Sequence, residues 1–104
     1  MKQKKLINKE SMNLTKEKLS ELNFKCDNPD AIFPKYYKTG ENPVWRISVD
    51  AGYVASTTEI AYSVSAWKCN ETGAIMKRCQ AGYIRTTEEL ELIKKLVEID
   101  DKED

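Results

Sequence analysis

Apolar positions change period twice along this chain, and each period names an element. Leu19 and Leu22 share a helical stripe, with Leu14 before it and Phe24 after it. Thr15 is suited to an N-cap, and Leu14 can staple onto Leu19. Asn23 can take the left-handed position that ends a helix, folding Phe24 back onto the last turn. Together these predict a helix over 16–22. From residue 44 to 49 the period falls to two: Trp45, Ile47 and Val49 face one way, Arg46, Ser48 and Asp50 the other. The same alternation over 60–69 places Ile60, Tyr62, Val64 and Ala66 on one face and Ser63, Ser65, Trp67 and Cys69 on its opposite. Helical spacing returns with Leu90, Leu92, Ile93, Leu96, Val97 and Ile99, leaving Lys94 and Lys95 outside the stripe. Thr86 followed by Glu89 forms a capping box, so a helix is predicted over 87–99.

The connecting stretches supply weaker signals. Asp27-Asn28-Pro29-Asp30 reads as a type I turn, and 32–38 as a strand that Pro34 pushes towards a sheet edge. Thr39-Gly40-Glu41-Asn42 turns the chain into the strand at 44. Around Ala51-Gly52 a loop is expected, with a short extended piece at 53–55. Asn70-Glu71-Thr72-Gly73 makes a hairpin turn into a strand over 74–80. There Lys77 and Arg78 are adjacent and must face opposite ways, so a bulge, an edge position or an early end is needed. The order is α-β-β-β(-β)-α, an α+β two-layer sandwich whose antiparallel sheet is covered on one face by the N- and C-terminal helices and open on the other.

Composition narrows the chemistry. The 104 residues suit one domain, expected over 13–99, between a flexible basic segment over 1–12 and an acidic tail over 100–104. Net charge is zero, with 17 Lys+Arg against 17 Asp+Glu, but the first half is basic and the second acidic. With no net positive field, tight sequence-independent binding to nucleic acid is not expected. There is no histidine, which excludes Ser-His-Asp and Cys-His catalysis and imidazole switches. The three cysteines have no metal-knuckle spacing. A Cys69–Cys79 bridge fails on geometry, because Cys69 lies opposite about Ile75 in the predicted hairpin. No apolar run approaches a membrane span and no signal-peptide core follows the basic start, so a cytoplasmic protein is expected. Asp50, Glu59 and Glu71 lie near predicted turns and read as solvated turn residues. No phosphate loop, nucleophile elbow or metal motif is present, and no enzyme, cofactor or metal is expected.

What remains is the open face. Trp67 flanked by Arg46, Lys77 or Arg78 and small hydroxyls such as Ser65 has the make-up of a protein-interface hot spot. The same set could stack a base and meet phosphates. Phe33-Pro34-Lys35-Tyr36-Tyr37-Lys38 is a second basic and aromatic cluster, with Lys35 and Tyr37 as candidate contacts beside an unpaired edge. The element order is similar to that of double-stranded-RNA-binding domains. Their Lys-rich start to the last helix is replaced here by Thr86-Thr87-Glu88-Glu89, and no residue carries over. The expectation is a small non-enzymatic binding protein that occludes or modulates a protein or ribonucleoprotein partner. Its size and its Lys-, Ile-, Asn- and Glu-rich usage suit phage or mobile-element products, among which are inhibitors of host immune nucleases of the CRISPR type. RNA or single-stranded nucleic-acid binding is the alternative. Homodimerisation through the last helix or the Tyr36-Tyr37 edge is a further expectation.

Overall fold

The computed structural model describes residues 12–41 and 43–100. The basic residues 1–11 and the acidic residues 101–104 lie outside the described residues. Among the described residues, two helices and five strands follow in the order α1 (Lys16–Glu21), β1 (Lys25–Cys26), β2 (Lys35–Gly40), β3 (Trp45–Tyr53), β4 (Ile60–Cys69), β5 (Ile75–Ile84) and α2 (Thr87–Val97). The strands form one antiparallel sheet in which spatial order equals chain order, β1-β2-β3-β4-β5. This is the α+β class expected from the period changes.

Both helices start and stop on local chemistry. The Thr15 hydroxyl accepts from the Lys18 backbone N–H at 3.0 Å and opens α1. Asn23 takes φ 71°, Phe24 N–H donates to the Leu19 carbonyl and Asn23 N–H to that of Ser20. These are the paired bonds that satisfy the last carbonyls of a helix. At α2 the capping box is complete: the Glu89 N–H donates to the Thr86 hydroxyl and the Thr86 N–H to the Glu89 carboxylate. Glu98, at φ 60°, ends the helix.

A single buried cluster joins Leu19 of α1 and Leu90, Ile93 and Val97 of α2 to Tyr36, Trp45, Ile47, Val49, Tyr62, Val64 and Ala66 of the sheet. Alternate residues of β2, β3 and β4 thus point into the core, as their sequence period requires. Leu14, Phe24, Ile84 and Ile99 complete the cluster from outside the helices. The segment holding Leu14 is tied down over a long sequence distance. Leu14 N–H donates to the Arg85 carbonyl at 2.8 Å, Thr87 N–H to that of Met12 at 2.7 Å, and Asn13 bridges to Thr86.

Several boundaries differ from expectation. No loop interrupts β3 at Ala51-Gly52: the strand runs on to Tyr53, where Ala51, Gly52 and Tyr53 pair with Tyr62, Ala61 and Ile60. The strand expected over 32–38 starts only at Lys35, after the residue that proline restricts. Pro34 does not leave the neighbouring edge bare, because Cys26 and Lys25 of β1 pair with Tyr36 and Tyr37. β5 runs to Ile84, past the expected end at 80, and its register shifts between Tyr62 and Val64 and between Lys68 and Cys69. Cys69, beside the second shift, is buried. All three cysteines are free thiols. Lys94, expected outside the helical stripe, is buried at 7% exposure, its ammonium reaching Glu91 at 2.7 Å. Leu92 and Leu96, expected inside it, are exposed. A long aliphatic stem can cover core while its charge reaches the rim, so Lys94 fills part of the place that the pattern gave to leucine.

Candidate functional site

The sheet face away from the core is built in three cross-strand rows, and the register assigns each residue. The first row runs Thr39, Arg46, Trp67, Arg78; the second Tyr37, Ser48, Ser65, Gln80; the third Lys35, Asp50, Ser63. Neighbouring strands lie about 4.8 Å apart, so Trp67 stands between two arginines within one side-chain length of each. The rows form because β2, β3 and β4 alternate cleanly and the stretch of β5 between its two shifts keeps register with β4.

The arginine end is held in place. The Arg46 guanidinium lies over the Tyr37 ring, 4.7 Å from its centroid, and its Nε donates to the Ser48 hydroxyl at 3.2 Å. Tyr37 is itself anchored, its hydroxyl donating to Asp27 at 3.3 Å. A guanidinium stacked on an aromatic face keeps its remaining N–H groups for a carboxylate or phosphate. Trp67 and Arg46 are half-buried and Arg78 is exposed. Among the described residues no ion pair engages Arg78, Lys35 or Asp50.

Beyond the arginine row the face is concave. A trough of about 410 Å³ is lined by Ser48, Asp50, Ser63, Ser65 and Gln80 with Ala81 and Gly82. It adjoins a depression of about 460 Å³ bounded by Asp27, Asn28, Lys35, Tyr37 and Arg46, and a smaller one of about 140 Å³ beside Tyr53 and Tyr83. Asp50 lines all three. Tyr83 sits at the register shift with φ 58°, a left-handed conformation that costs a bulky side chain about 1–2 kcal/mol.

Of the residues singled out from the sequence, Trp67, Arg46, Arg78, Ser65, Tyr37 and Lys35 are brought onto this one face. Lys77 is not. It stands opposite Lys68, and its ammonium pairs with Glu98 at the end of α2, 3.2 Å away. The basic-aromatic cluster at Lys35–Lys38 is likewise split: Lys35 and Tyr37 join the open face, whereas Tyr36 is buried and Lys38 donates to the Leu22 carbonyl at 2.9 Å. Asp50 was missed as a site residue. It lies within β3 and not at a turn, and the visible signal was the continued alternation Arg46, Ser48, Asp50, Gly52.

The titratable groups with displaced proton affinities belong to the scaffold. Burial pushes the Tyr62 and Tyr36 phenols up, with nearby Cys26 adding to the effect on Tyr36. The Arg85 backbone N–H, 2.7 Å from Glu89, holds that carboxyl below its ordinary value, aided by Thr86. Arg85 is raised by its hydrogen bond to Glu59. Among the described residues no three His, Cys, Asp or Glu side chains converge on a metal site, and no helix is long and apolar enough to cross a membrane. Compared with known protein families, with curated proteins and with solved structures, the chain matches none.

Proposed function

We propose that this is a small non-enzymatic cytoplasmic binding protein whose open sheet face occludes or modulates an acidic surface on a protein partner. The observation that carries the reading is the Arg46–Trp67–Arg78 row, with Arg46 already stacked on Tyr37. Arginine and tryptophan dominate binding hot spots because each removes a large area from water and adds directed N–H donors. Preordering Arg46 lowers the entropy lost on contact. Asp50 favours a protein partner over nucleic acid. It lies four residues along β3 from Arg46, about 13 Å, and its carboxylate opposes any phosphate backbone that crosses the face from the arginine row.

The experiment immobilises the wild-type protein, Trp67→Ala and Arg46→Ala/Arg78→Ala and presents bacterial lysate with and without nuclease treatment. A nucleoprotein nuclease of bacterial immunity, the partner class suggested by size and composition, is the first purified bait. A bound protein should survive nuclease, and Trp67→Ala should weaken it at least about 30-fold, corresponding to about 2 kcal/mol at a hot spot. Trp67→Ala must keep the wild-type melting temperature within a few degrees for the loss to count. If only RNA or single-stranded DNA is retained, the nucleic-acid reading replaces this one. Two arginine contacts would then give a log–log salt slope near −1.4, from about −0.7 per phosphate. If all variants retain the same proteins, the face is not the contact.

A further inference from the structure

The two edges of the sheet differ greatly in length. β1 on one side is two residues long, whereas β5 on the other runs ten residues from Ile75 to Ile84. Among the described residues nothing pairs along the outer side of β5, and the Asn13–Thr86 bridge lies past its end. The phase of the ladder decides which backbone groups are left over. The Cys69 N–H donates to the Val44 carbonyl at 2.8 Å, so odd-numbered residues of β4 turn their backbone groups to β3 and even-numbered ones to β5. Lys68, Ala66 and Val64 therefore bond Lys77, Cys79 and Ala81, and the N–H and C=O groups of Arg78 and Gln80 point outward. The two register shifts bound this regular stretch, 77–81. Edge cations and bulges usually oppose strand addition. Here Lys77 is already neutralised by Glu98, and the stretch is complementary to itself.

We infer that β5 pairs with β5 of a second copy, antiparallel about a two-fold axis that passes perpendicular to the sheet at Cys79. Such an axis keeps each sheet face on its own side, so paired residues are both odd or both even. An axis at Lys77 or Arg78 would set a cation against itself, and one at Gln80 or Ala81 would run the pairing into the bulge beside Tyr83, φ 58°. The axis at Cys79 keeps the pairing within 77–81. It sets Lys77 opposite Ala81 of the second copy, and Arg78 opposite Gln80 of the second copy, whose amide oxygen can accept from the guanidinium. Arg78 and Gln80 are also the residues whose backbone groups point outward, so each such pair exchanges both N–H···O bonds. The ends match as well. Ile75 and Met76, 47% and 61% exposed, come beside Tyr83 and Gly82 of the second copy, Tyr83 being 55% exposed. A two-fold interface needs a surface complementary to itself, and this one is so in backbone, charge and apolar contact. The pairing goes beyond the proposed contact and does not depend on it. It joins two open faces into one, with the Trp67 Cα positions about 16 Å apart, three strand spacings across and two residues along.

The full chain, kept reduced, is followed by sedimentation equilibrium from about 1 µM to 1 mM, where a dimer Kd of about 10–100 µM is expected for an interface at the small, transient end of the range. Gln80→Pro removes an N–H that has no partner within the chain among the described residues, and proline is tolerated on an edge strand at such a position. It should keep the melting temperature within a few degrees and weaken dimerisation at least about 10-fold, since both Arg78–Gln80 pairs lose a bond. Gln80→Arg, on the same exposed site, sets like charges opposite and should weaken it as well. Gln80→Glu sets a carboxylate opposite Arg78 and should tighten it at least about two-fold. The Cys79 residues form a pair without mutual hydrogen bonds, Cα atoms about 4.5 Å apart and within disulfide reach. Diamide, taking up the two thiol hydrogens, should therefore link the copies, in Cys26→Ser but not in Cys79→Ser. A chain that stays monomeric over the whole concentration range overturns the pairing. A dimer unaffected by Gln80→Pro and Gln80→Arg, or one that diamide links elsewhere or not at all, has its axis off Cys79 and overturns it too. A monomer whose open face captures a protein defeats this inference alone. A dimer whose face captures none defeats the proposed function and leaves the pairing standing.

Discussion

Adding one methyl group at Gly40 should destabilise this protein more than most surface substitutions can. Gly40 pairs with Trp45 across the β2–β3 hairpin, and the indole lies directly over the glycine. A Cβ built at position 40 would stand 2.2 Å from Trp45 Cε2 and Nε1 and 2.5 Å from Cζ2. Ordinary carbon contacts lie near 3.5–4.0 Å, so the overlap exceeds 1 Å on a rigid ring. Trp45 is 9% exposed and belongs to the core cluster, so the indole can retreat only by displacing its neighbours. Overpacking of this kind costs about 1–3 kcal/mol, and the rigidity of the ring places Gly40→Ala near 3. In a domain of this size that lowers Tm by roughly 12–24 °C, or moves a urea midpoint by about 2 M at a slope of about 1.5 kcal/mol/M. Gly52→Ala is the internal control, since nothing lies within 4 Å of its added Cβ, and it should stay within about 0.5 kcal/mol of wild type. The assay is equilibrium urea unfolding followed by far-UV circular dichroism. Trp45→Leu in the Gly40→Ala background should recover part of the loss through a coupling of about 1–2 kcal/mol. If Gly40→Ala and Gly52→Ala unfold at the same midpoint, the close approach of indole to backbone has no energetic weight and the reasoning fails.

Further consequences are open to simple measurement. Glu89 has a folded-state pKa below its unfolded value, so its stabilisation is complete above the unfolded value and disappears as pH falls through the folded one. Glu89→Gln should therefore be less stable than wild type at neutral pH by up to about 1 kcal/mol, with the gap closing in acid. A gap that is constant with pH, measured by thermal melts from pH 7 to pH 3, would count against it. Asn23, at φ 71°, should tolerate glycine with little change, whereas Asn23→Ala should cost about 1 kcal/mol in the same urea assay. In thiol titration under native conditions the half-buried Cys26 and Cys79 should react before the buried Cys69. Equal rates for all three would contradict the burial of the β4 end.

Much of this architecture is legible in the residues, and the exceptions share a cause. Thr15, Asn23, Thr86 and Glu89 act within a few residues of themselves, so both helix starts follow from local chemistry. β4 is equally plain from Tyr62 to Trp67, where burial alternates, although Ile60, expected on the core face, is exposed and Ala61 is buried beside Tyr62. Ala51 and Gly52 have poor strand propensity of their own, and it is pairing with Tyr62 and Ala61, with the Ala51 N–H also donating to the Pro34 carbonyl, that holds them extended. The shift at Lys68/Cys69 is also invisible locally, since it depends on β5 carrying an extra residue against β4. The same logic divides the site. That Trp67 and Arg46 share a face follows from alternation alone, whereas their direct pairing is set by the register of β3 and β4. The choice between Lys77 and Arg78 required the register of an irregular edge strand. Asp50 falls on the predicted open face with Arg46 and Ser48, but the loop expected at Ala51-Gly52 makes it read as a solvated turn residue, whereas β3 continues to Tyr53.

The tie between Met12–Leu14 and Arg85–Thr87 bears on the order in which the molecule comes together. Each strand pairs with its chain neighbour, so the sheet can assemble through short loop closures, one hairpin after another. Met12 and Thr87, by contrast, are 75 residues apart. Closing that span costs about 4 kcal/mol by the logarithmic law, against about 1.4 for a five-residue hairpin loop, before a constant common to both. Hairpins should thus form early, and the N-terminal segment should dock last onto a nearly finished sheet. In native-state hydrogen exchange the Leu14 and Thr87 amides should open at lower free energy than that of Val64. The early opening would make this segment the place where unfolding begins.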